Sequence, residues 1–107
     1  MRQKPVVRRR LADDDIEKAI AFYLSEAGSD IALDFANRFE EVLKKISKHP
    51  AIGSPQYGHE LRVAGLRHWP IPKFPYLIFY LEKDNQIELV RVLHGRMDIS
   101  SWLNDIE

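Results

Sequence analysis

The 107-residue chain contains no cysteine, so disulfide bonds, thiolate nucleophiles and cysteine-ligated metal centres are excluded. A metal site would need histidine and carboxylate ligands, and neither His49 nor His59 has a partner at metal-ligand spacing. No glycine-rich phosphate loop, serine triad or paired-carboxylate motif is present. The sequence also lacks an apolar run typical of a secretory signal or a membrane span. We therefore expect a cytoplasmic protein without a metal or cofactor.

Net charge is also absent, because sixteen basic residues balance sixteen acidic ones. A neutral protein lacks the overall field that draws proteins onto nucleic acid, so we expect no strong direct nucleic-acid binding. The balance is uneven along the chain, since residues 1–11 carry five basic side chains and no acidic one. With 45% hydrophobic and 30% charged residues, this length predicts one globular domain over residues 1–107.

Two helical patterns follow a short predicted strand at residues 6–7. Residues 16–24 carry apolar side chains at helical spacing after three aspartates, whose charge suits the start of a helix. We predict that this helix runs to about Ala27 and that Gly28 ends it in a left-handed conformation. A second helix is predicted immediately afterwards, with the apolar face Ile31, Phe35, Phe39, Val42 and Ile46. The two helices therefore form an antiparallel hairpin.

The second half of the chain has the pattern of a three-stranded antiparallel meander. The strands are predicted at residues 66–72, 76–81 and 86–94. Pro70 and Pro72 lack amide donors two residues apart, so the first strand should lie at an edge of the sheet. Residues 76–81 are apolar on both faces, which predicts a central strand covered by the hairpin on one side and by a second layer, such as a partner protein, on the other.

The remaining segments complete an α+β fold. Residues 50–60 are rich in proline and glycine and are predicted to form a loop. A short C-terminal helix is predicted after Asp98, with the apolar residues Ile99, Trp102, Leu103 and Ile106. The expected order is a short N-terminal strand, an antiparallel two-helix hairpin, a three-stranded antiparallel meander and a short C-terminal helix.

The end of the last strand is the most informative segment, because residues 91–100 read Arg-Val-Leu-His-Gly-Arg-Met-Asp-Ile-Ser. We expect Gly95 to adopt backbone angles closed to other residues, so that the chain turns and holds His94 and Arg96 at the rim of the sheet. Arg91 and His94 point to opposite faces of a regular strand. They would share a catalytic site only if a bulge intervened before the glycine.

Three segments together resemble the ParE branch of the ParE/RelE toxin superfamily: Leu66–Pro70, Tyr76–Tyr80 and Val90–Ile99. Helix residues 11–23 and the loop 49–53 match the same family. The resemblance covers nearly the whole chain and implies the toxin of a bacterial type II toxin-antitoxin pair, of the kind linked to plasmid stabilisation. It also implies a small cognate antitoxin that wraps the toxin in a hetero-oligomer.

The superfamily contains two activities, and the resemblance implies one of them. ParE-like members inhibit DNA gyrase without hydrolytic activity, whereas RelE-like members cleave messenger RNA on the ribosome. The neutral charge and a C-terminal end without a tyrosine-rich basic group favour the gyrase inhibitor, with the gyrase A subunit as partner and no catalytic residue. Two alternatives stay open: a ribosome-dependent endonuclease, and a non-toxic member that only binds its antitoxin.

Candidate site residues follow from the basic and aromatic side chains of the meander and the C-terminal end. The residues expected to bind the antitoxin or the target are Arg62, Arg67, His68, Lys73, Arg91, His94, Arg96 and Trp102. A minimal nuclease set would instead comprise His68, His94, Arg67, Arg91, Arg96 and Tyr80.

Overall fold

The computed structural model describes residues 3–103 and confirms the predicted α+β fold. In chain order the elements are β1 (Val6–Arg8), α1 (Arg10–Ala27), α2 (Ser29–Lys48), a 3₁₀ turn (Pro50–Ile52), α3 (Gln56–Leu61), β2 (Leu66–Pro70), β3 (Tyr76–Glu82), β4 (Ile87–His94) and α4 (Ile99–Trp102). The predicted residue Ile106 of the C-terminal helix lies outside the described residues. Within the described part, no helix is both long and apolar enough to cross a bilayer.

The four strands form one mixed sheet in the order β1, β4, β3, β2. The predicted meander is confirmed, because β2 pairs antiparallel with β3 and β3 pairs antiparallel with β4. β2 lies at an edge as predicted, but it ends at Pro70, so Pro72 of the predicted strand 66–72 lies outside it. β1 forms the other edge and runs parallel to β4, with Val6 opposite Ile87. The sheet is therefore mixed, which the period of the strands alone does not reveal.

The helical hairpin packs on one face of the sheet. α1 begins at Arg10, before the three aspartates, and α2 begins directly after Gly28. Gly28 has φ 93° and ψ 170°, so it uses a positive φ but not the predicted left-handed helical conformation. The core between the two layers includes Phe35 and Phe39 of α2 and Ile78 of β3, all essentially inaccessible to solvent.

The other face of the sheet has the predicted second cover, but the chain itself supplies it and not a partner protein. Residues 56–61 form α3 within the segment predicted to be a loop, and α4 packs beside it on the same face. Their second apolar cluster contains Leu66, Phe79, Leu81, Val90, Leu93, Ile99 and Leu103. The sheet consequently has a core on both faces, which explains why its central strands are apolar on both sides.

A buried tyrosine joins the sheet to the segment that follows α2. The hydroxyl of Tyr80 donates to the carbonyl of Pro50 at 2.7 Å and accepts from the amide of Gly53 at 2.9 Å. Beside them, Ser54 and His68 exchange two backbone hydrogen bonds of 2.9 and 3.0 Å. The segment from Pro50 to Ser54 is therefore fixed against the outer side of β2.

This close contact predicts that Gly53→Ala destabilises the protein. A Cβ atom at residue 53 would lie 2.5 Å from the Tyr80 hydroxyl and 2.9 Å from the His68 carbonyl oxygen, so the tyrosine must move. We expect the free energy of unfolding to fall by about 1–3 kcal/mol, measured by urea denaturation. Gly95→Ala is the matched control, because its nearest contact would be 3.6 Å from the carbonyl of Pro75. Equal losses in the two variants would contradict the prediction.

Candidate functional site

The site begins with a bulge in β4. Phe79 of β3 lies opposite Arg91, and the next residue, Tyr80, lies opposite Leu89, so Val90 is an extra residue on β4. An extra residue reverses which side chains face each side of the sheet. Before the bulge Leu89 packs against the helical hairpin, and after it Val92 does so. Because the bulge precedes Arg91, the strand is regular from there to its end, and Arg91 and His94 lie on opposite faces as predicted.

The outer edge of β4 changes partner just beyond this bulge. β1 pairs with β4 only as far as Leu89, whose carbonyl accepts from the amide of Arg9 at 3.0 Å. From there α1 runs beside the strand, and Asp15 replaces β1 as its partner. One carboxylate oxygen of Asp15 accepts from the amide of Val92 at 2.9 Å. A side chain of α1 thus satisfies a backbone donor that the short β1 leaves uncovered.

Arg91 is held by the same carboxylate. Its Nε and Nη2 atoms donate to the two oxygens of Asp15 at 2.8 and 2.9 Å, and Nη1 donates to the carbonyl of Trp102 at 3.3 Å. The guanidinium also lies 5.4 Å from the centre of the Trp102 ring. Only 9% of Arg91 is exposed. This residue, predicted from the sequence as a binding group, therefore joins α1, β4 and α4 within the molecule.

A cleft of about 290 Å³ lies over this contact, and we call it the β4 cleft. Its polar lining includes Asp14, Lys18 and His94. Three of its apolar lining residues are exposed: Leu11, Met97 and Trp102, with 41%, 39% and 48% of their surface accessible to solvent. Exposed apolar groups beside a few polar ones are typical of a surface that binds another macromolecule.

His94 is oriented by two contacts inside the β4 cleft. Its Nδ1 atom accepts a hydrogen bond from the amide of Arg96 at 3.1 Å, and its ring packs edge-on against Tyr76 with 5.3 Å between centres. Because Nδ1 is an acceptor, the neutral ring carries its proton on Nε2. That nitrogen is the donor that His94 offers to a partner.

The expectation for Gly95 is wrong. Positive φ angles occur in the described chain at Gly28, Arg62, Gly65 and Lys73, and not at Gly95. The turn is held instead by backbone hydrogen bonds from Gly95 to the carbonyl of Pro75 at 2.7 Å and from Met97 to the carbonyl of His94 at 3.0 Å. His94 and Arg96 are therefore positioned by the pairing of β4 with the chain before β3.

The other residues predicted to bind the antitoxin or the target lie outside the β4 cleft. Arg62 and Arg67 are near the start of β2, whose Leu66 lies opposite Leu81, whereas His94 pairs with Tyr76 at the other end of β3. Lys73 lies in the turn between β2 and β3, with φ 70°. Arg62 and Arg67 therefore lie at the opposite end and edge of the sheet from the β4 cleft, whereas Lys73 lies at the end of β3 that carries Tyr76.

His68 does not line the β4 cleft. It lies opposite Phe79 on the face covered by α3, and its ring contacts the rings of Tyr57 and Phe79 at 5.1 and 5.5 Å between centres. Its Nδ1 atom is buried and has no hydrogen-bond partner within residues 3–103. Burial lowers the pKa of His68 below its usual value.

The residues of the hypothetical nuclease set are dispersed. His68 and His94 lie on opposite faces of the sheet, and Arg91 is engaged by Asp15. Tyr80 is inaccessible to solvent and its hydroxyl is used by the backbone of Pro50 and Gly53. Burial raises the pKa of Tyr80, which disfavours its ionised form. Across residues 3–103, histidine and carboxylate side chains also form no group of three suited to a metal ion.

Sequence reasoning missed Asp15, Lys18, Tyr76, Leu11 and Met97 as residues of this site. The three adjacent aspartates were interpreted as helix-start charge, and nothing in the sequence distinguishes Asp15 from Asp13 or Asp14. An arginine within an otherwise apolar strand was the available signal. A buried arginine requires an anionic partner, and the acidic start of the first helix is the natural source.

The chain is thus an α+β domain with a partly apolar cleft beside β4. The family model described as "ParE toxin of type II toxin-antitoxin system, parDE" matches residues 6–99. The chain belongs to this family of toxins. It is 26% identical over 98 residues to Toxin ParE3 of Caulobacter vibrioides, covering 92% of this chain and 93% of that protein.

A solved structure gives the same fold. The structure titled "Chromosomal ParDE TA system from P. aeruginosa" aligns with a TM-score of 0.72 at 19% identity. The alignment covers 86% of this chain and 96% of that one. At this identity the likeness establishes the architecture, and the resemblance inferred from the sequence is confirmed by the family match.

Removal of the buried carboxylate tests the contact beneath the β4 cleft. We expect Asp15→Ala to lower the free energy of unfolding by about 3–5 kcal/mol, because it leaves the Arg91 charge and the Val92 amide buried without this partner. Urea denaturation measures the loss. Asp34→Ala is the control, since Asp34 pairs with Arg38 on the exposed surface of α2 and should contribute at most about 0.5 kcal/mol. Similar effects of the two substitutions would refute the structural role of Asp15.

His68 predicts a dependence of stability on pH. Its pKa is lower in the folded protein than in the unfolded chain, so the unfolded state binds more protons once the pH falls below about 6.5. Stability contributed by neutral His68 is therefore lost on acidification toward its folded pKa. The decrease in unfolding free energy from about pH 7 to about pH 5 should be smaller in His68→Phe than in the wild type. His49→Gln, at an exposed histidine, serves as the control; an unchanged decrease in His68→Phe would contradict this assignment.

Proposed function

We propose that this toxin inhibits DNA gyrase by binding its A subunit through the β4 cleft, and that a cognate antitoxin neutralises it by covering the same cleft. The observation that carries the proposal is the combination of exposed apolar residues with His94 and Arg96 at the open end of β4. Such a surface suits the recognition of a protein. Gyrase acts in the cytoplasm, so the proposal places the toxin there.

The same geometry argues against the endonuclease alternative. Cleavage through a ribose hydroxyl needs a base, an acid and cations within reach of one phosphate. His94 and Arg91 both line the β4 cleft, but the Arg91 guanidinium is held by Asp15 and the ring neighbour of His94 is Tyr76. Arg91, the most deeply buried cation of the candidate set, is neutralised by Asp15. We therefore propose a toxin that acts by binding and not by hydrolysis.

An antitoxin segment has two features to use at this cleft. α1 covers the edge of β4 beyond Leu89 through Asp15, so we propose that the segment binds at the end of β4, where Nε2 of His94 is a donor. The exposed ring of Trp102 and the side chain of Met97 offer apolar contacts next to that edge. We propose that the resulting hetero-oligomer hides the residues needed for gyrase.

A supercoiling assay with purified toxin and gyrase tests this function. We expect the wild type to inhibit supercoiling and to raise the amount of cleaved DNA. Trp102→Ala and Arg96→Ala should each weaken inhibition, and the loss should exceed about tenfold for Trp102, because an exposed aromatic at the centre of a contact carries much of the binding energy. Lys44→Ala on α2 is the control and should inhibit like the wild type.

Two results would refute the proposal that the toxin inhibits gyrase. One is wild-type toxin that leaves both supercoiling and cleaved DNA unchanged. The other is cutting of translated messages, detected by primer extension, that disappears in His94→Ala. The second result would establish the endonuclease alternative, since gyrase binding does not predict it.

A further inference from the structure

Within residues 3–103, four arginines pair with carboxylates: Arg8 with Glu40, Arg9 with Glu88, Arg38 with Asp34 and Arg91 with Asp15. The other four arginines of that part of the chain form no ion pair there, and two of them, Arg62 and Arg67, lie together at one cleft. In a protein of zero net charge, these two guanidinium groups are a local excess of positive charge.

Both arginines line one cleft between α3 and β2, which we call the β2 cleft. It has a volume of about 390 Å³, and His59 adds a third group that can carry positive charge. Pro55, Val63 and Leu66 provide apolar lining, and no acidic side chain contributes to it. The cleft therefore combines cationic groups with apolar walls.

The backbone around the β2 cleft is tightly constrained. The amide of Val63 donates to the carbonyl of Gly58 at 2.9 Å, and a Cβ at residue 58 would lie 2.6 Å from the carbonyl oxygen of Leu66. Arg62 has φ 57°, a left-handed conformation that is costly for a residue with a side chain. Nη1 of Arg67 donates to the carbonyl of Gly53 at 2.7 Å. The two arginines thus project from a rigid frame, which lowers the entropy lost when they bind a ligand.

We propose that the β2 cleft binds the carboxylates of an acidic, partly apolar protein segment. Arginine forks match carboxylates in geometry and charge, and the apolar lining suits the aliphatic side chains that flank acidic residues in a peptide. The zero net charge provides no general attraction for a nucleic acid. The β2 cleft lies at the opposite end and edge of the sheet from the β4 cleft, so it is a second binding surface and does not depend on gyrase being the target.

Backbone amide shifts of the full chain, observed by NMR during titration, test the proposal. The probe is a short blocked peptide of alternating glutamate and leucine, and the comparison peptide has glutamine in place of glutamate. We expect the glutamate peptide to shift the amides of residues 59–67, and the glutamine peptide to leave them unchanged. Arg62→Gln should raise the dissociation constant at least about tenfold. Arg10→Gln is the matched control, because Arg10 is also exposed and also forms no ion pair within the described residues.

Further titrations test whether another ligand or another surface explains the shifts. The same titration is repeated with inorganic phosphate and with a short DNA duplex. If either one shifts the amides of residues 59–67 and the peptide does not, the assignment to a protein carboxylate is overturned. Equal peptide-induced shifts at the lysine-rich end of α2, residues 44–49, would show attraction to any basic surface and refute a specific site. Unchanged spectra refute it as well. Arg62 has no hydrogen bond from its side chain within residues 3–103, so loss of binding in Arg62→Gln with an otherwise unchanged spectrum supports the proposal directly.

Discussion

The ion pair between Asp15 and Arg91 is the contact on which the arrangement of the molecule depends. One carboxylate satisfies both a buried guanidinium and the backbone amide of Val92, and the same guanidinium reaches the carbonyl of Trp102. A buried ion pair of this kind contributes little net stability compared with apolar packing. Removing only one of its two residues is costly, however, because the charge of the other stays buried. Its effect here is positional, because it connects the first helix, the last strand and the C-terminal helix at the place where the β4 cleft opens.

The sheet has two clefts because its two edges end differently. β1 is short and leaves the second half of β4 to α1, which opens the β4 cleft. At the other edge, the segment from Pro50 to Ser54 is held on β2 by Tyr80, and α3 begins shortly afterwards beside the β2 cleft. Apolar cores on both faces keep these edges rigid. The faces of the sheet hold the apolar cores, and the two clefts lie at its edges.

Most of the fold was predictable because it follows from repeated local signals. Apolar spacing identified the two long helices, alternation and prolines identified the meander and its edge strand, and Asp98 marked the start of α4. α3 was missed because Pro55 and Gly58 are typical of loops, although Gly58 is required there by the close approach of Leu66. The parallel pairing of β1 with β4 is a non-local contact that no sequence period encodes.

The candidate site was predicted in part. The segment after Leu93 was correctly placed at the end of the sheet, but the conformation expected of Gly95 was wrong. The bulge at Val90 could not be predicted, because β4 carries apolar side chains on both faces of the sheet and alternation does not show which residue is extra. The roles of Arg91 and Arg62 could not be separated, since a basic residue in a sequence does not reveal whether a carboxylate lies beside it in the fold.

The position of β4 between β1 and β3 has a consequence for biosynthesis. Val6 finds its partner in Ile87, with roughly eighty residues of chain between them. β1 therefore leaves the ribosome long before the strand that it pairs with, and the sheet forms only after β4 has been synthesised. A translation product interrupted before β4 would lack a central strand of the sheet, so it could not form this fold.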